Sequence, residues 1–538
     1  MKNILIGGAW PYANGSLHIG HIAALLPGDV LARYWRARGA QVFYVSGSDC
    51  HGTPITLRAQ QEGTNPADIS EQYHREFCET FEKLGFSYDL YTKTTAEHHI
   101  AFVQDFHRTL YNGPYVKPRT VQSAWCPQCK KVLTDRMIVG TCPVCGNQTR
   151  GEQCDSCHTV PEPECLVNPA CAICASPLEL RETTQLYLLT SGLQTQLQAL
   201  LDTHPNWRRN AIAFTQRYLH EGLRDRAITR DLDWGIPVPL PGYEDKKIYI
   251  WAENVLGYLS AGTFLCKKRG VNPKTLFGPD ARHYYVHGKD NIPFHTIILP
   301  ALLLAHGQGL HLPDDVISSE HMTLEGEKIS TSRNHAVWAD ELLAHCQPDT
   351  IRYCFLINGP EKRDADFSWK EFAQRNNTDL VGAWGNFVNR TLAFTAKYLD
   401  NTVPKGTVDA QLQECVQDTF DYVGSAIEDG RFRDALFKIL ELVHLGNRYY
   451  DQKSPWKTRT ESPIDCADTI YNCTRLIGNL AVLLQPFLPF TSKKVLAWLG
   501  MQPDWHMQEI TSDRCLPELS VLFGRISPDE LKHIMDKR

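Results

Sequence analysis

The sequence predicts an α/β fold: a Rossmann-like parallel-sheet domain split by an inserted cysteine-rich domain and followed by an all-α bundle. Three observations predict it. A strand–loop–helix–strand–loop pattern opens the chain, four CxxC pairs crowd into fifty residues, and helical periodicity takes over from about Asn376.

Residues 3–8, NILIGG, read as an apolar strand running into a turn. AWPYANGSLHIGH follows, and a helical pattern starts near His21. The next apolar run, Val42–Ser46, ends in GSDCHGTP. This is a βαβ unit, and functional loops of such sheets lie at the C-terminal strand ends. SLHIGH and GSDCHGTP both take that position. Lys247–Trp251 (KIYIW) and Arg282–Val286 (RHYYV) read as further strands, the second leading into HGKDNIPFH. One sheet interrupted by an inserted module is the simplest account.

The module holds Cys126/Cys129, Cys142/Cys145, Cys154/Cys157 and Cys171/Cys174. In a large chain without a secretion signal, such pairs read as thiolate ligands, and two CxxC turns complete a closed tetrahedral zinc site. The short loop GNQTRGEQ makes Cys142, Cys145, Cys154 and Cys157 one compact knuckle. The outer pairs either close a second site around it, or the four pairs join sequentially; spacing allows both. One or two zinc ions, with a structural role, are expected.

The C-terminal segments Leu412–Ile427, Phe432–Tyr450 and Ile470–Leu484 repeat apolar residues every three or four positions, as a helical bundle requires. With 538 residues and a 43% hydrophobic fraction, the chain has room for about three or four domains. The boundaries expected are 1–115, 116–185, 186–325, 326–375 and 376–538. A formal net charge of −6 excludes a protein that holds nucleic acid by bulk charge, though local basic patches suffice for an RNA partner. The N-terminus lacks signal-peptide character and no apolar run approaches a membrane span, so a cytoplasmic location and no membrane contact are expected.

Two motifs carry the chemistry. In His18-Ile19-Gly20-His21, a helix N-terminus offers free N–H groups to phosphate, Gly20 permits close approach, and both imidazoles can donate to charged oxygens. In Lys328-Ile329-Ser330-Thr331-Ser332, a lysine can reach phosphate with hydroxyl support. Each is weak alone. Together they resemble the HIGH and KMSKS motifs of the class I aminoacyl-tRNA synthetases. Thr331 replaces the second lysine, so Lys328, helped by Arg333, carries more of the phosphate contact. AWPYANGSLHIGH, GSDCHGTPI, GKDNIPFH and the cysteine knuckle narrow the resemblance to methionyl-tRNA synthetases, over nearly the whole chain.

The resemblance implies activation of L-methionine by Mg-bound ATP and its transfer to tRNA(Met). It implies ATP contacts from His18, Gly20, His21, Lys328, Ser330, Thr331 and Ser332, with His18, His21 and Lys328 catalytic. It implies a methionine pocket of Ala9, Trp10, Tyr12, Asp49, Trp251, Val255, Tyr258, Asn291 and His295, in which Asp49 holds the ammonium. Trp10, Val255 and Asn291 depart from the familiar Leu, Pro and Ile. Lys289 and Asp290 are expected to support the nucleotide or the tRNA end. Asn386, Arg390 and Trp456 match the positions that read the CAU anticodon, and a monomer is expected because no tail domain follows the helices. The alternative is a catalytically altered or non-catalytic paralogue that binds tRNA.

Overall fold

The structure is a computed structural model that describes residues 2–133, 137–150, 154, 157, 166–329 and 335–536. At its centre is a five-stranded sheet whose neighbours are all parallel. From one edge to the other it runs Asp315–Ser319, Ala281–Gly288, Asn3–Gly8, Gln41–Ser48, Leu90–Lys93. The first strand in sequence lies in the middle and the order reverses beside it, the doubly wound arrangement that presents ligand loops at a switch point.

Strand alternation builds two cores. Ile4, Ile6 and Tyr44 face one side, packing on the helix Ile19–Ala37. Leu5, Phe43 and Val45 face the other, packing near the helix Gly257–Lys268. The first core continues without a break into the C-terminal helices.

Between Leu90–Lys93 and Ala281–Gly288 the chain leaves the sheet. Val116–Cys126 pairs antiparallel with Glu179–Leu188, in register from Val116 opposite Leu188 to Trp125 opposite Glu179. Short strands flank the pair on either side, Arg226–Ala227 and Lys131–Val132, and the cysteine module sits at the far end of this antiparallel arm. The segment Lys247–Trp251 corrects the reading of KIYIW as a strand. Only Lys247–Ile248 forms a strand, and it pairs antiparallel with Thr229–Arg230, outside the parallel sheet. Ile250–Glu253 turns helical, because Ala252 N–H closes a turn on Tyr249 O and the apolar side chains are buried by packing on a neighbouring helix, not by a second strand.

After the sheet, Met322–Leu324 pairs with Glu327–Lys328 and with Ala365–Phe367. The helices Asn386–Tyr398, Ala410–Glu428, Phe432–Lys453 and Pro463–Leu484 then form the bundle. In Ala410–Glu428 the buried residues Leu412, Val416, Thr419, Phe420, Val423 and Ile427 fall on one stripe, and Asp409 caps the start by accepting from Leu412 N–H at 3.1 Å. A buried ion pair fastens the bundle to the sheet domain. Asp29, inside Ile19–Ala37, accepts from Arg352 at 2.6 Å and from Arg33 at 2.7 Å, while Arg352 also donates to Phe487 O at 2.9 Å. No described helix is long and apolar enough to cross a membrane.

Candidate functional site

The HIGH turn sits at the end of the central strand, as a parallel sheet requires. His18 caps the helix, and its Nδ1 accepts from Gly20 N–H at 3.1 Å. His21 Nδ1 accepts from His18 N–H, also at 3.1 Å. Since both Nδ1 atoms accept, neither carries a proton, and each neutral ring must hold its proton on Nε2. Burial pushes His18 down to about 4. Burial, then the neighbouring His18, pushes His21 down well below its ordinary value. The two rings, 3.9 Å apart, form a pair of neutral N–H donors.

This corrects the expectation that the helix N-terminus offers free amides. Ile19 N–H donates to Val337 O at 3.0 Å, Gly20 N–H to His18, and His21 N–H to His18 O at 2.9 Å. Gly20 also has a use beyond the one expected. A β-carbon there would stand 2.9 Å from the His18 ring, so glycine makes room for the imidazole to fold back onto the helix.

The second motif meets the first. Ile329 is the other neighbour a β-carbon on Gly20 would meet, at 3.9 Å. Beyond the motif, Ile19 N–H and Ala339 N–H exchange bonds with Val337 O and Leu17 O, at 3.0 and 2.8 Å. Lys328 is exposed on the hairpin Met322–Lys328. Ser330, Thr331, Ser332 and Arg333 lie outside the described residues. Of the GKD loop, Lys289 is engaged with Asp364 at 2.7 Å and Glu320 at 3.0 Å, and Asp290 with His321 at 3.0 Å.

Beside the HIGH turn, Asp49 follows the strand Gln41–Ser48. Its backbone pairs with the chain before HIGH: Asp49 N–H donates to Pro11 O and Ala13 N–H to Asp49 O, both at 2.8 Å. The carboxylate accepts from Asn254 Nδ2 at 2.5 Å and from His51 N–H at 3.3 Å. Burial, and then the charge of Glu253, raise Asp49 well above the usual carboxylate range. Glu253 is itself wholly buried, bonded to His51 Nδ1 at 2.5 Å with His99 at 3.8 Å. Burial works to raise Glu253 too, but those two histidines hold it below the usual range.

An aromatic wall adjoins Asp49. Trp10 is buried edge-on to Tyr258, their rings 6.5 Å apart. Tyr258 is buried and reaches His295 Nε2 at 2.8 Å, while His295 Nδ1 reaches Asn291 O at 2.9 Å. Burial pushes His295 down to about 4. The ring is therefore neutral; Nδ1–H donates to the carbonyl, and Tyr258 OH donates to Nε2. Val255 is buried nearby, Ala9 and Asn291 are partly buried, and Trp251 packs edge-on to Phe294 at 5.0 Å. Tyr12 and Trp251 open onto a cavity of about 790 Å³ that extends under the cysteine arm to Leu180 and Tyr187 and is also lined by Arg230.

All the expected pocket residues thus gather at three adjacent strand ends. The sequence reading missed Asn254, His51, Glu253 and His287, whose ring stacks on His295 at 4.1 Å. One signal was available for Glu253: a lone acid inside the apolar stretch IWAENVLGYL.

The cysteines form two nested clusters, Cys126, Cys129, Cys171 and Cys174 outside, and Cys142, Cys145, Cys154 and Cys157 inside. Sulfur separations of 3.4 Å (Cys126 to Cys174), 3.8 Å (Cys129 to Cys171), 3.7 Å (Cys142 to Cys157) and 3.5 Å (Cys145 to Cys154) match the roughly 3.8 Å edge of a tetrahedron with zinc–sulfur bonds of about 2.3 Å. The sequential pairing is excluded, and each cluster fits a zinc ion.

In the bundle, Asn386 and Trp456 are exposed, and Arg390 lies 4.0 Å above the Tyr450 ring and pairs with Asp451. Trp456 therefore stands outside the bundle core.

Comparison with known proteins agrees with this arrangement. Residues 4–392 match the family model "tRNA synthetases class I (M)", and residues 401–534 match "Anticodon binding domain of methionyl tRNA ligase". The methionine–tRNA ligase of Bacillus cereus (strain Q1) is 47% identical over 539 residues, 99% of each chain. Methionine–tRNA ligase 1 of Alkaliphilus oremlandii is 48% identical over 526 residues, 97% of each. Among solved structures, Mycobacterium tuberculosis methionyl-tRNA synthetase in complex with methionyl-adenylate shares the fold, with a TM-score of 0.81 at 23% identity, covering 98% of this chain and 100% of that one. Its apo form gives 0.74 at 22%, covering 98% and 99%. The chain belongs to the methionine–tRNA ligase family of class I tRNA synthetases.

Proposed function

We propose that this chain activates L-methionine with ATP and joins it to tRNA(Met). The observation that carries the reading is the buried Asp49 carboxylate, held by Asn254 on the segment that leads to Tyr258 and paired through its backbone with the chain between Trp10 and the HIGH turn. A carboxylate there takes the substrate ammonium, and the aromatic wall suits a polarizable thioether. Ala9, Tyr12, Trp251, Val255 and Asn291 complete the pocket.

In the first step a carboxylate oxygen of methionine attacks the α-phosphorus of ATP in line. The bond to the bridging oxygen breaks, and pyrophosphate leaves. His18 and His21 donate Nε2–H bonds to phosphate oxygens as charge builds, and Lys328 brings a positive charge, with Gly20, Ser330, Thr331 and Ser332 completing the nucleotide contacts. Magnesium carried by ATP neutralises phosphate charge. In the second step the terminal ribose hydroxyl of the tRNA attacks the adenylate carbonyl and AMP leaves. No covalent enzyme intermediate is needed; catalysis is positioning and charge stabilisation.

The cavity under the cysteine arm gives the tRNA end a route to the adenylate, and Lys289 and Asp290 in the GKD loop support the nucleotide or the tRNA end. The two cysteine clusters hold one zinc each, a cross-link that stiffens the arm. Asn386, Arg390 and Trp456 read the anticodon by hydrogen bonding and stacking. We divide the chain at 1–115, 116–185, 186–325, 326–375 and 376–538, and propose a cytoplasmic monomer.

Exchange of pyrophosphate into ATP, measured with each amino acid in turn, tests the proposal. Exchange that depends on methionine supports it. Exchange with another amino acid overturns the substrate, and no exchange with any overturns the activity in favour of a non-catalytic tRNA-binding paralogue.

A further inference from the structure

Four rings in the bundle touch in series. Trp456 lies 5.9 Å from Tyr450, Tyr450 6.5 Å edge-on from Phe394, and Phe394 4.8 Å from Tyr398. The two middle rings are buried, while the two ends are open, Trp456 at 45% and Tyr398 at 41% exposure. A ring row built only to hold helices together would bury its ends as well. Each half of the row carries a guanidinium: Arg390 over Tyr450 at 4.0 Å and Arg459 over Tyr398 at 4.2 Å. Lys397 adds a third cation, 5.0 Å from the Tyr398 ring.

Charge is concentrated in the same place. From Asn376 onward the sequence is acidic, with 18 Lys and Arg against 21 Asp and Glu. Residues 386–398 and 448–460 together hold six cations and one acid, and that acid, Asp451, is paired with Arg390. Exposed aromatic faces interleaved with cations are what unpaired nucleotides bind: bases stack on rings and guanidinium planes, and cations track the backbone.

We propose that Tyr398, Arg459 and Lys397 form a second nucleotide platform, which takes one unpaired nucleotide flanking the anticodon triplet. Its base continues the stack on the outer face of the Arg459 guanidinium, whose inner face rests on Tyr398, and Lys397 meets its phosphate. Arg459 lies three residues after Trp456 on the helix Pro455–Glu461, so the strand of RNA passes from one stacking surface to the next along one face. The inference rests on the anticodon reading of Trp456 given above.

The test uses the full chain and a tRNA transcript with a CAU anticodon, with binding followed by fluorescence anisotropy and folding checked by thermal melting. Two further transcripts carry an abasic nucleotide on one or the other side of the triplet. Tyr398→Ala and Arg459→Ala are each expected to weaken binding by roughly tenfold. Tyr398→Phe keeps the parent affinity. With the abasic nucleotide on the contacted side, Tyr398→Ala costs nothing further. An equal loss on all three transcripts, or no loss while Trp456→Ala binds weakly, overturns the platform alone. If Trp456→Ala also binds as the parent does, the anticodon reading falls, and the platform with it.

Discussion

The indole of Trp10 lies directly on Gly257, where a β-carbon would stand 2.5 Å from the ring, and a β-carbon on Gly47 would stand 2.8 Å from it. The wide side chain at position 10 is therefore accommodated by two glycines from different elements. Gly257→Ala sets a helix gain of up to about 1 kcal/mol against overpacking of about 1–3 kcal/mol. The clash wins, and it pushes Trp10 toward the pocket. We expect the KM for methionine to rise about tenfold in the exchange assay while the KM for ATP stays near the parent value. Adding Trp10→Leu should restore the methionine KM; if the double variant is no better than Gly257→Ala alone, the clash is not the cause.

Asp49 is held well above the usual carboxylate range by burial and by Glu253. An ammonium ligand needs it ionised. Below its raised pKa, methionine binding must expel the Asp49 proton, so affinity grows as pH rises toward that pKa and then levels off. Calorimetry at mildly acidic pH, in buffers of differing ionisation enthalpy, should show proton release on methionine binding. Binding with no buffer dependence would contradict the assignment.

The two HIGH imidazoles separate two jobs on one ring. In His18→Asn the amide oxygen can replace Nδ1 as the helix cap, but nothing replaces the Nε2 donor. Exchange is expected to fall about 10²- to 10³-fold with little change in melting temperature. A melting temperature that collapses along with activity would make the ring's role structural.

His18, His74, His107 and His295 are all pushed down to about 4, with burial the largest cause in each. The unfolded chain protonates these rings near 6.5, so below that pH it binds more protons than the folded chain. Their contribution to stability is full above about pH 6.5 and is lost as pH falls toward 4. Thermal melting across that window should show a steady decline; an unchanged melting temperature would contradict the burial.

The nested clusters predict two zinc ions per chain by metal analysis. Cys145→Ser should remove the inner ion and Cys129→Ser the outer one, leaving about one ion each. Loss of both ions from the inner variant would show that the sites are not independent.

Much of this was legible in the sequence because the signals are local. The strand Asn3–Gly8 is an apolar run that ends in Gly, and each CxxC pair declares itself. The nesting of the pairs was legible in the short loop between the inner four, but excluding the sequential pairing depends on how Val116–Cys126 returns beside Glu179–Leu188. KIYIW alternates like a strand yet turns helical at Ile250, where burial against another helix decides. The partners of Asp49 were hidden for the same reason: Asn254 and Glu253 come from about two hundred residues away, and only folding sets them beside it. Of the occupied amides of the HIGH turn, those of Gly20 and His21 are taken locally by His18, while that of Ile19 depends on Val337, more than three hundred residues on.

That last contact constrains how the chain can vary. Leu17 and Ile19 are spliced to Val337 and Ala339 residue for residue, so one residue added or lost between Val337 and Ala339 would put the splice out of step and shift the HIGH turn itself. The stretch of sequence intolerant to length change therefore reaches past the second motif, and an insertion scan would find activity lost at Val337–Ala339, where no residue has been given a chemical role.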